Sequence, residues 1–125
     1  MDDASEERGL FARTATDRPV YLAAELGLAV ARVADDRVGE VGVARRCDPH
    51  DVSAGAGGVA VATAEEVLVD PTATGDGDAL RETGFGPAVA VGVGPDGAIT
   101  AVAPSGAVGT LDEVGGAWAD RGTID

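Results

Sequence analysis

Short apolar runs separated by turn signals, and a turn-and-strand unit recurring about every 40 residues, predict an all-β fold. The architecture expected is a propeller-like array of about three four-stranded antiparallel blades forming an incomplete ring. At 125 residues the chain suffices for one ordinary domain and is too short for two, so the blades share one body or its oligomer. Two markers carry the repeat. A turn glycine followed by an apolar strand occurs at Gly27 (LAVARV), Gly58 (VAVATA) and Gly97 (AITAVA), spaced by 31 and 39 residues. An acid, any residue, a glycine and one further residue recur as Glu40-Val41-Gly42-Val43, Glu82-Thr83-Gly84-Phe85 and Asp120-Arg121-Gly122-Thr123, spaced by 42 and 38.

Residues 1–19 form an acidic arm. Within it Glu7-Arg8-Gly9-Leu10-Phe11 repeats the second marker, which suits an outer strand; a frayed acidic tail is the competing reading. The repeat domain covers 20–125 in units of about 20–51, 52–88 and 89–125. In the first unit, Tyr21–Val33 has the Ala and Leu content of a helix. Gly27 in its middle would cost a helix about 1 kcal/mol and fits a hairpin turn, so two strands are expected. The second unit has strands at Val59–Ala62 and Val67–Val69, then a polar, flexible insertion, Pro71–Asp78, at the blade edge. The third unit reads most clearly: Val89–Gly94 innermost, a turn at 95–97, Ala98–Ala103, a turn at 104–106, Ala107–Asp112, and Ala117–Ile124 outermost. Asp35-Asp36 and Glu65-Glu66 fall at equivalent turns and are expected to be solvated tips.

Within the third unit Gly92, Gly94 and Gly97 fit G-x-G-x-x-G, with Asp112 twenty residues beyond Gly92. A dinucleotide fingerprint needs a helix after the third glycine. Here a β-rich run follows and Pro104 ends it, so Pro95-Asp96-Gly97 is turn chemistry and no cofactor is expected.

The charge balance narrows the function classes. The chain has 22 acids against nine bases, a net charge of −13, and every base is Arg; there is no Lys, Asn or Gln. Such self-repulsion is screened in molar salt, where the Debye length falls to about 3 Å. The aromatics are Phe11, Tyr21, Phe85 and Trp118 alone, so the core is poor in large side chains and gains from salt-strengthened burial. These traits resemble a cytoplasmic protein of a salt-accumulating haloarchaeon. No nucleic-acid partner is expected, because Arg45-Arg46 is the nearest approach to a basic stripe. The acidic start does not fit a secretory signal, and no run approaches the roughly 20 apolar residues of a membrane span. The lone Cys47 excludes an internal disulfide and a multi-Cys zinc site.

The segments VYLAAELGLAVARV, DRVGEVGVARRCDPHDV, GVAVATAEEVLV, RETGFGPAVAVG and DGAITAVAPSGAVGTLD resemble the N-terminal part of an uncharacterised haloarchaeal β-propeller family over residues 18–125. The resemblance implies a propeller fold whose members are about twice as long. About three blades cannot close a ring. The chain is therefore a truncated gene product, a half that assembles with a second copy or partner, or a short variant that shields its own edges. Assembly through blade edges is the expectation.

Chemistry concentrates in Cys47-Asp48-Pro49-His50-Asp51, which holds the only Cys and the only His. This run is placed in the connection between the first two units, equivalent to Gly84–Ala88 between the next two. Such loops line one propeller face near the channel. Cys, His and Asp are competent ligands for a borderline metal, yet five consecutive residues rarely wrap one ion, and no metal is expected. The competing reading has Asp48-Pro49 starting a turn and His50 hydrogen-bonded to backbone. A Cys47–His50 nucleophile lacks any acyl-site signature nearby. Gly75-Asp76-Gly77-Asp78 is too short for a calcium loop. Trp118 is expected to plug the outer half of its blade. Cys47, Asp48, His50, Asp51, Phe85 and Trp118 are the ligand or partner-face candidates. The function expected is a binding or interaction module; the competing class is a metal-dependent hydrolase or lactonase of propeller type using channel acids with His50.

Overall fold

The computed structural model describes residues 17–35, 37–56 and 58–124; the remainder of the acidic arm, with its Glu7–Phe11 marker, lies outside the described residues. Among the described residues eleven strands, β1 (Asp17–Ala24), β2 (Gly27–Ala34), β3 (Arg37–Arg45), β4 (Pro49–Gly55), β5 (Gly58–Thr63), β6 (Val67–Asp70), β7 (Arg81–Glu82), β8 (Ala90–Val93), β9 (Ile99–Val102), β10 (Ala107–Leu111) and β11 (Ala119–Thr123), are joined by turns and a 3-10 turn at Gly77–Ala79. They form three antiparallel sheets, ordered β1-β2-β3, β4-β5-β6-β7 and β8-β9-β10-β11, and no sheet closes on itself among the described residues. The all-β, propeller-like array is thus present, and its third sheet has the four strands in the order expected.

Local chemistry sets the hairpins. Gly27 has φ +143° and closes a turn in which Ala24 pairs with Gly27, which separates β1 from β2 where a helix was the rival. Gly58 has φ +107°, and a Cβ there would overlap the carbonyl of Asp70. The Gly94–Ala98 turn is closed by Gly94 N donating to Ala98 O and Gly97 N to Gly94 O, so the G-x-G-x-x-G run is a hairpin.

The first sheet differs from the four-stranded blade expected of it: it has three strands among the described residues. Only residues 46–48 separate β3 from β4, too few for another strand. An odd strand count sends the chain out at the opposite end. The position of a Gly27 Cβ lies 3.3 Å from Cys47 N, so β4 begins beside the end of β1. β4 and β1 consequently run in opposite directions. After the four-stranded second sheet, β8 begins beside the start of β4, with Ala88 N donating to Thr63 O at 3.0 Å, and the two inner strands run in the same direction.

Two core clusters follow from this stacking. Between the first and second sheets, Leu28 meets Val59, Val61, Leu68 and Leu80, with Tyr21 and Val52 against them. Between the second and third, Ala60, Ala62, Val67 and Val69 meet Ile99, Ala101 and Leu111, with Val91, Val93, Phe85 and Trp118 alongside. Small residues on β5 leave room for the larger ones opposite. Burying each Val or Leu contributes about 1.5–3 kcal/mol, so the central sheet, packed on both faces, is the most stabilised layer.

Candidate functional site

The structure brings together the two connections that the sequence singles out, but it divides their residues differently. Pro49, His50 and Asp51 belong to β4 itself, with Pro49 opposite Thr63 and Asp51 opposite Ala62. The reason is that proline lacks an N–H and is tolerated as the first residue of a strand, so the strand can begin at Pro49. Only Cys47 and Asp48 remain in the connection. Cys47 is half-buried against the first core cluster, its Sγ 3.8 Å from Arg45 O, and Asp48 is exposed.

His50 crosses to the next unit. Its Nδ1 lies 3.0 Å from Ala88 O, a contact that requires the proton on Nδ1, while Nε2 is 3.8 Å from Asp48 Oδ2, too far for a hydrogen bond. Asp51 accepts from Val52 N through Oδ1 and from Val91 N through Oδ2, both at 3.0 Å. Ser53, two residues on, accepts from Val93 N at 3.1 Å. Side chains of β4 thereby satisfy the backbone N–H groups along β8, which lies at the free edge of its sheet. This is a seam between sheets.

Phe85 and Trp118 form a second contact at the outer side of the same boundary. Their rings lie 4.7 Å apart at 56°, and the indole N–H donates to Thr83 O at 3.0 Å. Gly109 sits beneath them, where an added Cβ would come within 3.0 Å of Phe85. Glu66, expected as a solvated tip, instead accepts from Gly86 N at 2.9 Å and Val67 N at 3.0 Å. It anchors the connection that carries Phe85.

A further cluster escaped the sequence reading. The loop at 71–80, which contains the Pro71–Asp78 segment expected to be a flexible insertion, clamps the second sheet onto the first. Gly75 N donates to Tyr21 OH at 2.7 Å, Arg32 donates to Thr74 O at 2.9 Å, and Arg45 donates to Leu80 O at 3.0 Å. Gly77 is buried so close to Ala44 that a Cβ would overlap its carbonyl. Asp70 is buried at the loop's base, with Oδ1 accepting from Thr72 and Oδ2 without a partner among the described residues. Burial raises the Tyr21 pKa above its ordinary 10.0; the Gly75 N–H opposes this, and Asp70 adds to it. The only local signal was the pair of glycines in Gly75-Asp76-Gly77, which marks close approach as well as flexibility.

Clefts of 330–460 Å³ open on the surface of the described residues; one of 460 Å³ lies between β1 and β4 along Arg18–Tyr21 and Val52–Ala54. These clefts, among the described residues, are not lined by Cys47, Asp48, His50, Asp51, Phe85 or Trp118. Among the described residues no three His, Cys, Asp or Glu side chains converge to hold a metal ion. No helix there is long and apolar enough to cross a membrane.

Among the described residues, five of the eight exposed large apolar side chains share one surface. Val20 and Leu22 on β1 and Val38, Val41 and Val43 on β3 all point away from the second sheet, on the opposite face to Tyr21, Leu28 and Val30. Val38 and Val41 are 64% and 62% exposed.

A family model described as HVO_0234-like, β-propeller, matches residues 4–125. No curated protein and no solved structure matches the chain.

Proposed function

This chain belongs to the HVO_0234-like β-propeller family, and on that premise we propose that it is a binding or interaction module that presents sheet faces and edges to protein partners. One observation carries the reading: five of its exposed large apolar side chains line a single sheet face in a chain of net charge −13. Contiguous apolar surface of this kind marks interaction sites. A propeller fold alone assigns no role, since propellers hold scaffolds and enzymes alike. The seam at His50 and Asp51 supports the same reading, because His50 Nδ1 and Asp51 Oδ2, atoms that a hydrolase would use, are engaged by backbone groups of the next unit.

We infer further that the module works in a salt-accumulating archaeal cytoplasm. The acid excess and the lack of Lys support this. Cross-linking in native lysate at molar KCl tests the interaction reading. The expected result is adducts heavier than the chain, lost in Val41→Glu; recovery of free monomer alone from the unaltered chain overturns it. Thermal unfolding across KCl concentrations tests the setting, and a midpoint that does not rise with salt contradicts it.

A further inference from the structure

We propose that the partner is a second copy of the chain: the outward face of the β1–β3 sheet docks on the outward face of the β8–β11 sheet of the other copy, and the reciprocal contact closes the pair. This rests on the interaction reading and names its partner.

The end faces of the stack are complementary in chemistry. Register places Arg18, Val20, Leu22, Ala29, Ala31, Val33, and then Val38, Val41 and Val43, on the first. The same argument places Ala90, Gly92, Thr100, Val102, Val108 and Thr110 on the last, with Ala119 and Gly122 at its edge. Neither face carries a carboxylate, although the chain has 22 acids. A face that stays in water on so acidic a protein has no reason to be free of them.

The shapes match as well. One end presents Val and Leu side chains, the other Ala, Gly and Thr with two Val. The chain already uses this pairing of large against small between its second and third sheets, where Ala60 and Ala62 lie under Ile99, Leu111, Val91 and Val93. The contact between copies repeats it.

Area decides how many contacts are needed. With strands about 4.8 Å apart and a rise of about 3.3 Å per residue, the first face measures roughly 14 × 26 Å and the last roughly 19 × 14 Å. Two first faces packed on each other would bury only about 740 Å², which is the size of a crystal contact. A contact buries on each side no more than the smaller face, so the reciprocal arrangement, with two contacts, buries up to about 1,060 Å², at the roughly 1,000 Å² that a specific interface should clear. Closure at two copies also leaves no open end to propagate a fibre.

Sedimentation equilibrium of the purified chain in molar KCl, across a concentration series, tests this. The expected species has twice the 12.3 kDa mass of one chain. Val41→Glu on the first face and Thr100→Asp on the last sit at exposed positions and should leave the fold, followed by Trp118 fluorescence, unchanged. Each alone should weaken association by more than about tenfold. Three results overturn the proposal: a monomer at every concentration, open-ended higher oligomers, or a dimer sensitive to Val41→Glu and indifferent to Thr100→Asp. A purified monomer that still gives Val41-dependent adducts in lysate would overturn the second copy as partner and leave the interaction reading standing.

Discussion

Replacing Asp51 with alanine removes the acceptor for two backbone N–H groups at once, Val52 and Val91, each held at 3.0 Å. Hydrogen bonds to a charged acceptor contribute about 1.5–3 kcal/mol when well buried. Asp51 is only half-buried, so solvent replaces part of each bond and the pair is worth about 1–2 kcal/mol. Asp51→Asn keeps one acceptor oxygen and should lose about half as much. Ser53→Ala removes the neutral bond to Val93 N, at a cost of about 1 kcal/mol. Because both side chains hold β8, the double substitution should depart from additivity. The assay is urea unfolding in molar KCl followed by the fluorescence of Trp118, the sole tryptophan, which packs across the same sheet boundary against Phe85. In thermal unfolding, Asp51→Ala should lower the midpoint by about 4–8 °C. If it costs less than about 0.5 kcal/mol with an unchanged denaturant slope, the seam does not hold the second and third sheets together.

Tyr21 gives the pH prediction. Its folded pKa is raised by burial, so the folded state keeps the proton longer than the unfolded chain. The stabilisation is fully present below the ordinary value of 10.0 and is lost as pH rises through the folded value. Unfolding measured from pH about 9 to about 11 should therefore show a steeper loss of stability for the unaltered chain than for Tyr21→Phe, and parallel curves would refute this. Gly77→Ala places a Cβ against the Ala44 carbonyl and should lift the 71–80 loop, with the bonds to Tyr21 and Arg45, at a cost of about 2–4 kcal/mol. Loss of hydrogen-exchange protection at Gly75 N checks it; stability within about 0.5 kcal/mol of the unaltered chain contradicts the clamp.

Much of the architecture was legible in local pattern. Pro95-Asp96-Gly97 has the residues a turn demands, and the alternation in Ile99-Thr100-Ala101 assigns opposite faces without knowledge of any neighbour. The third sheet could therefore be read strand by strand. The candidate site was legible only as a place. The sequence placed 47–51 and 84–88 at equivalent positions of successive units; the structure adds a contact between them, from His50 to Ala88. That Asp51 would bond Val91 was not readable, because its partner is 40 residues away and any carboxylate fits the same local pattern.

By itself, then, the sequence determined the strands, their turns, the repeat and the acidic surface, since each depends on residue types within a few positions of one another. Tertiary structure decided the rest. The three strands of the first sheet turn β4 against the direction of β1, so Tyr21 and Leu28 face the second sheet while Val20, Leu22, Val41 and Val43 are left outward. Period-two patterning makes both faces of that sheet apolar and does not say which one is covered. The end at which the chain leaves a sheet does, and that is a property of the whole sheet.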